Sequence, residues 1–182
     1  MDIETKCIHA GYEPKNGAPR VVPIAQSTTF VYDSAETMGK LFDLEAAGYF
    51  YTRLQNPTNG HVAAKIAALE GGTAGMLTSS GQAANFFALF NICEAGSHIV
   101  SSSTIYGGTF NLIAVTMAKM GITATFVSPD CSEEELDAAF QDNTRAVFGE
   151  TIANPALAVL DIKKFADFAH DNGIPLIINL NM

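Results

Sequence analysis

Basic residues are scarce in this chain. Lys and Arg number 10 against 19 Asp and Glu, which leaves a formal net charge of −9. A surface of that sign repels phosphate backbones, and no basic cluster offsets it, so nucleic acid is excluded as a partner. Charged residues of both signs make up only 16%, against 48% hydrophobic residues, which excludes a disordered chain. Cysteine is sparse and odd in number. Cys7, Cys93 and Cys131 match no zinc or CxxC spacing and read as reduced thiols of a cytoplasmic protein. The four histidines, His9, His61, His98 and His170, form no pair at helical ligand spacing, so no metal site is expected. No apolar run reaches the length of a membrane span, and the acidic first residues do not read as a signal peptide. The G-x-G-x-x-G, G-x-x-x-x-G-K-[ST] and G-x-S-x-G patterns are all missing, so dinucleotide, P-loop and hydrolase readings lose their usual support.

What is present falls into two parts. Residues 1–50 are interrupted by Pro14, Pro19 and Pro23 and offer one short helix, over 36–44, behind Ser34 as a cap. The aromatic residues of this stretch call for burial, so it reads as an arm that packs on another subunit. From Pro57 onward, helices alternate with short apolar runs. Helices are expected over 57–70, 81–93, 110–120, from Ser132 (a capping box with Glu135) to Asn143, and over 162–170. Strands are expected over 74–78, 98–102, 122–127, 145–149 and 175–179. That alternation predicts βαβ units: an α/β fold with a mainly parallel sheet covered by helices on both faces.

Four segments carry candidate chemistry. Ser79-Ser80-Gly81-Gln82 joins a strand to a helix, where free N–H groups and the helix dipole make an anion site; the same residues also suit a plain serine-capped turn. Tyr51 and Arg53 are two apart on an extended segment and share a side, so they suit a phosphate clamp, or a surface Arg beside a packed Tyr. Tyr106, before Gly107-Gly108, follows the strand at 98–102, where an aromatic can stack on a flat ligand or simply pack beside a turn. Glu150 and Asn154 follow the strand at 145–149, either as ligand contacts or as a polar loop.

Taken together and in this order, these motifs resemble the pyridoxal-phosphate enzymes of cysteine and methionine metabolism. The resemblance runs from Thr5 to Ile178. It includes Ile8-His9-Ala10-Gly11-Tyr12, Ser27-Thr28-Thr29-Phe30, Tyr51-x-Arg53-x-x-Asn56-Pro57-Thr58, Ala67-Ala68-Leu69-Glu70-Gly71-Gly72, Ser79-Ser80-Gly81, Tyr106-Gly107-Gly108-Thr109 and Glu150-x-x-x-Asn154-Pro155. Within the family, Ser80 to Asn85 and Phe90 to Cys93 look most like the O-acetylhomoserine sulfhydrylase branch; methionine γ-lyases and cystathionine synthases or lyases more often have Met at the place of Gln82. The resemblance implies the three-layer α/β large domain of the aspartate aminotransferase-like (fold type I) enzymes and a homo-oligomer, a homotetramer built from tight dimers. It implies pyridoxal 5'-phosphate as cofactor. Ser80, Gly81 and Gln82 would hold its phosphate, and Tyr51 and Arg53 would reach the phosphate of the neighbouring subunit. Tyr106 would stack on the ring, Asn154 would contact its 3-oxygen, and Glu150 would lie close by. The reaction implied is γ-replacement, in which sulfide or a thiol displaces acetate from an amino-acid substrate.

The departures carry expectations of their own. The family pattern places Asp at the position of Asn179, and usually at that of Ser97. The Ser-x-Thr-Lys motif of the cofactor-bearing lysine is not in the 182 residues, and none of the seven lysines has that setting. Hence the expected organisation is an arm over 1–50 and a partial cofactor domain over 51–182, without the C-terminal domain. Such a chain should be inactive alone. Two further readings stand beside it: a docking fragment that binds a full-length relative, and a stand-alone binder of another phosphate compound.

Overall fold

The computed structural model describes residues 1–180. The chain divides into two compact units, Met1–Leu77 and Thr78–Met182.

The first unit holds three helices. Helix α1, Ile3–His9, is capped by the Asp2 side chain, which accepts from the Thr5 amide. The proline-interrupted reading of this region missed it: α1 buries none of its residues and so has no apolar periodicity to betray it. Helix α2, Ala35–Phe42, starts at Ser34 as expected. Helix α3, Pro57–Glu70, matches its predicted bounds, because Asn56 caps it, proline occupies its first turn, and Gly71 ends it in the left-handed conformation. Lysines tie α1 to α3: Lys65 Nζ donates to the carbonyls of Cys7 and Ile8, and Lys6 Nζ to that of Ala68. Gly11 lies so close to α3 that a Cβ there would stand 2.5 Å from the His61 carbonyl oxygen. Of the aromatics expected to seek burial, only Phe50 is buried, and Phe42 is exposed.

The second unit begins with helix α4, Gly81–Phe90, and continues with a four-stranded parallel sheet. Its strands are β1, His98–Ser102; β2, Thr123–Val127; β3, Thr144–Glu150; and β4, Leu176–Asn179. They lie in the order β2-β1-β3-β4. Strand β1 is followed by α5, Gly107–Asn111, which runs on as a π-helical turn over Leu112–Met117 and a 3-10 turn over Ala118–Met120. Helix α6, Glu133–Ala139, carries the predicted capping box, and α7, Ile162–Asp171, starts at Asp161.

Alternating strand residues feed two cores. On one face Ile99, Ala146 and Phe148 pack with Leu89, Cys93, Leu112, Ile113 and Met117; on the other, Val100 and Val147 pack with Leu136, Phe165, Phe168 and Ala169. Two layers of helix therefore enclose one layer of sheet, the three-layer α/β architecture the sequence predicts. Cys93 and Cys131 are free and buried, one in each core, and Cys7 is free and exposed.

One expected strand does not form. Residues 74–78 have no sheet partner among the described residues and are not buried; Met76 is 75% exposed. An apolar extended run becomes a strand only where another strand offers a ladder. The replacement at Ser97 is accommodated locally: its side chain is buried and Oγ accepts from the Glu94 amide at 3.0 Å. Among the described residues, no helix is long and apolar enough to cross a membrane.

Candidate functional site

The sheet order fixes where a site can form. The chain goes from β1 outward to β2 on one side, then returns to lay β3 and β4 on the other. The segments that leave the carboxyl ends of β1 and β3 thus diverge, and a crevice opens where they part. A cavity of about 310 Å³ lies there, at the small end of ligand-site sizes. Gly81, Gln82, Tyr106, Asn154 and Asn179 all line it.

Each wall has a local cause. Ser80 caps α4, its Oγ accepting from the Ala83 amide at 3.1 Å while its carbonyl accepts from Ala84. The amides of Gly81 and Gln82 lie ahead of the first intrahelical bond, so they are the donors this helix turns toward a ligand. Beside Gly81 a Cβ would meet nothing within 4 Å, so the approach to the backbone is open. Tyr106 stands at the start of α5, 49% exposed. Its ring lies over Gly108, where a Cβ would come within 2.5 Å of Cε1; the second glycine admits the ring rather than breaking a helix.

Glu150 ends β3 and is 2% exposed. Its Oε2 accepts from the Tyr106 amide at 2.9 Å and its Oε1 from Asn179 Nδ2 at 3.3 Å. The carboxylate therefore sits behind the wall and joins the loop after β1 to the tip of β4. Two lining residues escaped the sequence reading as candidates, Asn85 and Thr109. The Gln82 Oε1 accepts from the Thr109 hydroxyl at 3.2 Å, and Asn85 Nδ2 donates to Thr109 at 3.2 Å, so the three join α4 to α5. Both lay inside the quoted motifs; their polar character on otherwise apolar helices was the available signal. Tyr51 and Arg53 belong to the first unit, where the Arg53 guanidinium lies 4.9 Å from the centre of the Tyr51 ring. The segment is not extended as expected: residues 52–54 form a turn, with the Leu54 and Gln55 amides donating to the Tyr51 carbonyl, and the turn brings the guanidinium back to the ring.

Comparison with known proteins gives one answer. The family model described as Cys/Met metabolism PLP-dependent enzyme matches residues 4–182. The O-acetyl-L-homoserine sulfhydrylase of Corynebacterium glutamicum is 48% identical over 97% of this chain and 41% of its own length. The homocysteine synthase of Schizosaccharomyces pombe is 44% identical over 97% and 41%. The L-methionine gamma-lyase of Fusobacterium nucleatum is 43% identical over 97% and 44%. Among solved structures, a Campylobacter jejuni protein assigned as an O-acetylhomoserine (thiol)-lyase, which carries N'-pyridoxyl-lysine-5'-monophosphate, superposes with a TM-score of 0.92 at 34% identity, over 98% of this chain and 44% of that one. The cystathionine gamma-lyase of Lactobacillus plantarum, complexed with L-serine, gives 0.84 at 34%, over 98% and 44%. The chain spans about two-fifths of the length of the curated relatives named here. With the family model matched over almost every residue and the fold shared with its solved members, the chain belongs to the Cys/Met metabolism PLP-dependent enzymes.

Proposed function

We propose that the chain supplies the phosphate and ring contacts of a pyridoxal-phosphate site that serves γ-replacement on an O-acylated homoserine, with sulfide or a thiol as the incoming group. The observation that carries this reading is the convergence of the α4 N-terminus, Tyr106, Asn154 and Asn179 on one small cavity. That set fits the cofactor. Unengaged backbone amides suit a phosphate, a half-exposed tyrosine suits a flat ring, and two carboxamides suit the ring's polar edge. In this reading Gly81, Gln82 and Ser80 hold the phosphate and Tyr106 covers the ring. Asn154 and Asn179 orient its edge, and Glu150 holds Asn179 and Tyr106 in place. Tyr51 and Arg53 reach the phosphate of a second subunit. Pyridoxal phosphate, when bound, supplies the electron sink for bond changes at the amino acid. Among the described residues no lysine lines the cavity, so these 182 residues bind the cofactor without a covalent link and do not turn over by themselves.

Titrating the purified chain with pyridoxal phosphate, followed by borohydride reduction and peptide mapping, tests this. Saturable binding that Gly81→Asp abolishes, with no single lysine labelled, is the expected result. No saturable binding, or one stoichiometrically labelled lysine with turnover, refutes it.

A second reading concerns assembly, and exposed apolar side chains favour it. Val31 is 98% exposed, and Val21, Ile24, Leu44 and Met76 are exposed as well. So much apolar surface suits an arm that packs on another subunit, here a second copy or a full-length relative. Light scattering that gives a monomer, with no retention of a co-expressed relative, would count against it. The free, buried thiols suit a reducing cytoplasm.

A further inference from the structure

We propose that Thr109 is a positioning residue that makes the Gln82 side chain a hydrogen-bond donor to the anionic group of the ligand. The inference rests on the pyridoxal-phosphate reading above. It adds a side-chain contact to those that the backbone of α4 offers.

The cavity is short of positive charge. Among the described residues no Lys, Arg or His lines it. An anion there is held by neutral donors of this chain. A phosphate monoester presents three strong acceptor oxygens, more than the amides of Gly81 and Gln82 engage one for one. A further N–H in the wall therefore has an acceptor to meet.

A chain of hydrogen bonds decides which end of the Gln82 carboxamide faces the cavity. Asn85 lies one turn further along α4 and is 7% exposed, and Thr109 of α5 is fully enclosed. Asn85 Nδ2 donates to Thr109 Oγ1 at 3.2 Å. The Thr109 hydroxyl has one proton, and that proton goes to Gln82 Oε1 at 3.2 Å. Asn85 Nδ2 also donates to the same oxygen, at 3.5 Å. Two donors thus converge on Gln82 Oε1. A carboxamide is planar, so holding its oxygen also sets its nitrogen. Gln82 Nε2 makes no hydrogen bond to the described residues, and Gln82 lines the cavity. The end it offers a ligand is therefore its NH₂ group.

This arrangement gives the two buried polar residues a purpose. Asn85 and Thr109 stand on otherwise apolar helices, where an unpaired polar group is costly. Neither reaches the ligand's anion in this reading. They act through Gln82: without the Thr109 hydroxyl the carboxamide turns freely, and half of its orientations set an oxygen against the anion.

The probe is pyridoxine 5'-phosphate, which has no aldehyde and so cannot bond to a lysine. Its dissociation constant for the 182-residue chain is measured by calorimetry, and the ³¹P resonance of the bound ligand reads the surroundings of its phosphate. Far-UV circular dichroism is the folding control. Gln82→Met, which keeps the length of the side chain and removes the donor, should weaken binding by about tenfold, as loss of a hydrogen bond to a charged group does, and should move the bound ³¹P resonance. Gln82→Glu sets a carboxylate oxygen in place of the NH₂ group and should weaken binding further than Gln82→Met. Thr109→Val should weaken binding in the wild-type background and add nothing to Gln82→Met, whereas Thr109→Ser should bind as the wild type does. Thr109→Ala takes the place of Thr109→Val if that variant does not fold. Wild-type affinity and an unmoved ³¹P resonance in Gln82→Met, Gln82→Glu binding as well as Gln82→Met, or a further loss when Thr109→Val is added to Gln82→Met overturns the inference alone. Failure of the wild type to bind the probe overturns the pyridoxal-phosphate reading with it.

Discussion

His98 opens β1 at the centre of the sheet and is 1% exposed. Its Nδ1 bonds the Thr144 hydroxyl on β3 and its Nε2 the Thr125 hydroxyl on β2, both at 2.9 Å, so one ring joins three strands. Burial pushes the imidazole pKa below its ordinary 6.5. The folded state thus resists a proton that the unfolded state accepts. The stability this holds is fully present above pH 6.5 and is lost as pH falls below it, until the folded-state pKa is reached. One proton limits the slope to about 1.4 kcal/mol per pH unit. His98→Gln removes the titration and at least one of the two hydrogen bonds. At pH 8 the variant should be less stable by about 1–3 kcal/mol, the cost of leaving a buried polar group without its partner. Urea unfolding followed at 222 nm, from pH 8 to pH 5 at constant ionic strength, reads both effects. The carboxylates that dominate acid behaviour cancel in the difference between the two proteins. That difference should hold steady above pH 7 and shrink below 6.5 as the wild type loses its extra stability. Parallel curves over the whole range would refute the reasoning, because they would mean that His98 accepts a proton as readily folded as unfolded.

Further outcomes follow from the same kind of geometry. Gly11→Ala should lower the melting temperature of the α1–α3 unit and cost about 1–3 kcal/mol, since Gly11 has a φ of +83° and its new Cβ would press on backbone atoms of α3; an unchanged hydrogen-exchange pattern in α3 would contradict this. Ser80→Ala should cost about 0.5–2 kcal/mol by removing the cap on Ala83, and should weaken pyridoxal-phosphate binding by loosening the helix end, both readable by thermal melting and titration. The Cys93 and Cys131 thiols are pushed up by burial from 9.0, so the stability they hold is present below that value and lost as pH rises past it; in the folded chain a thiol reagent should label Cys7 at once and the other two only on unfolding.

Elements with local causes were legible in the sequence. Asn56-Pro57 and Gly71 bound α3, and Ser132 with Glu135 opens α6, because caps act over three or four residues and need nothing from elsewhere in the fold. Helix α1 escaped notice because it buries none of its residues and is marked only at its ends, by the Asp2 cap, Glu4 in the first turn and Lys6 and His9 in the last. Residues 74–78 were misread for the opposite reason: their composition suits a strand, yet a strand exists only through its neighbour. Gly107 and Gly108 lie inside the helix rather than before it, and at Gly108 the Tyr106 ring occupies the space a side chain would need.

The candidate site shows how ambiguous local signals become one statement. A serine-capped turn, a tyrosine before two glycines and a Glu-x-x-x-Asn loop each suit ordinary structure when read alone. The order β2-β1-β3-β4 removes that freedom. It carries the chain away from β1 to one side and builds β3 and β4 on the other, so the loops after β1 and β3 must open beside each other. Tyr106 and Asn154 then share a cavity although 47 residues separate them in the chain, and Glu150 reaches the Tyr106 amide from the neighbouring strand end. Periodicity could not show that Asn179 would meet Glu150, because that contact depends on the register that sets Asn179 of β4 beside Glu150 of β3. The same register turns a replacement that looks like a lost charge into a neutral amide with a carboxylate directly behind it.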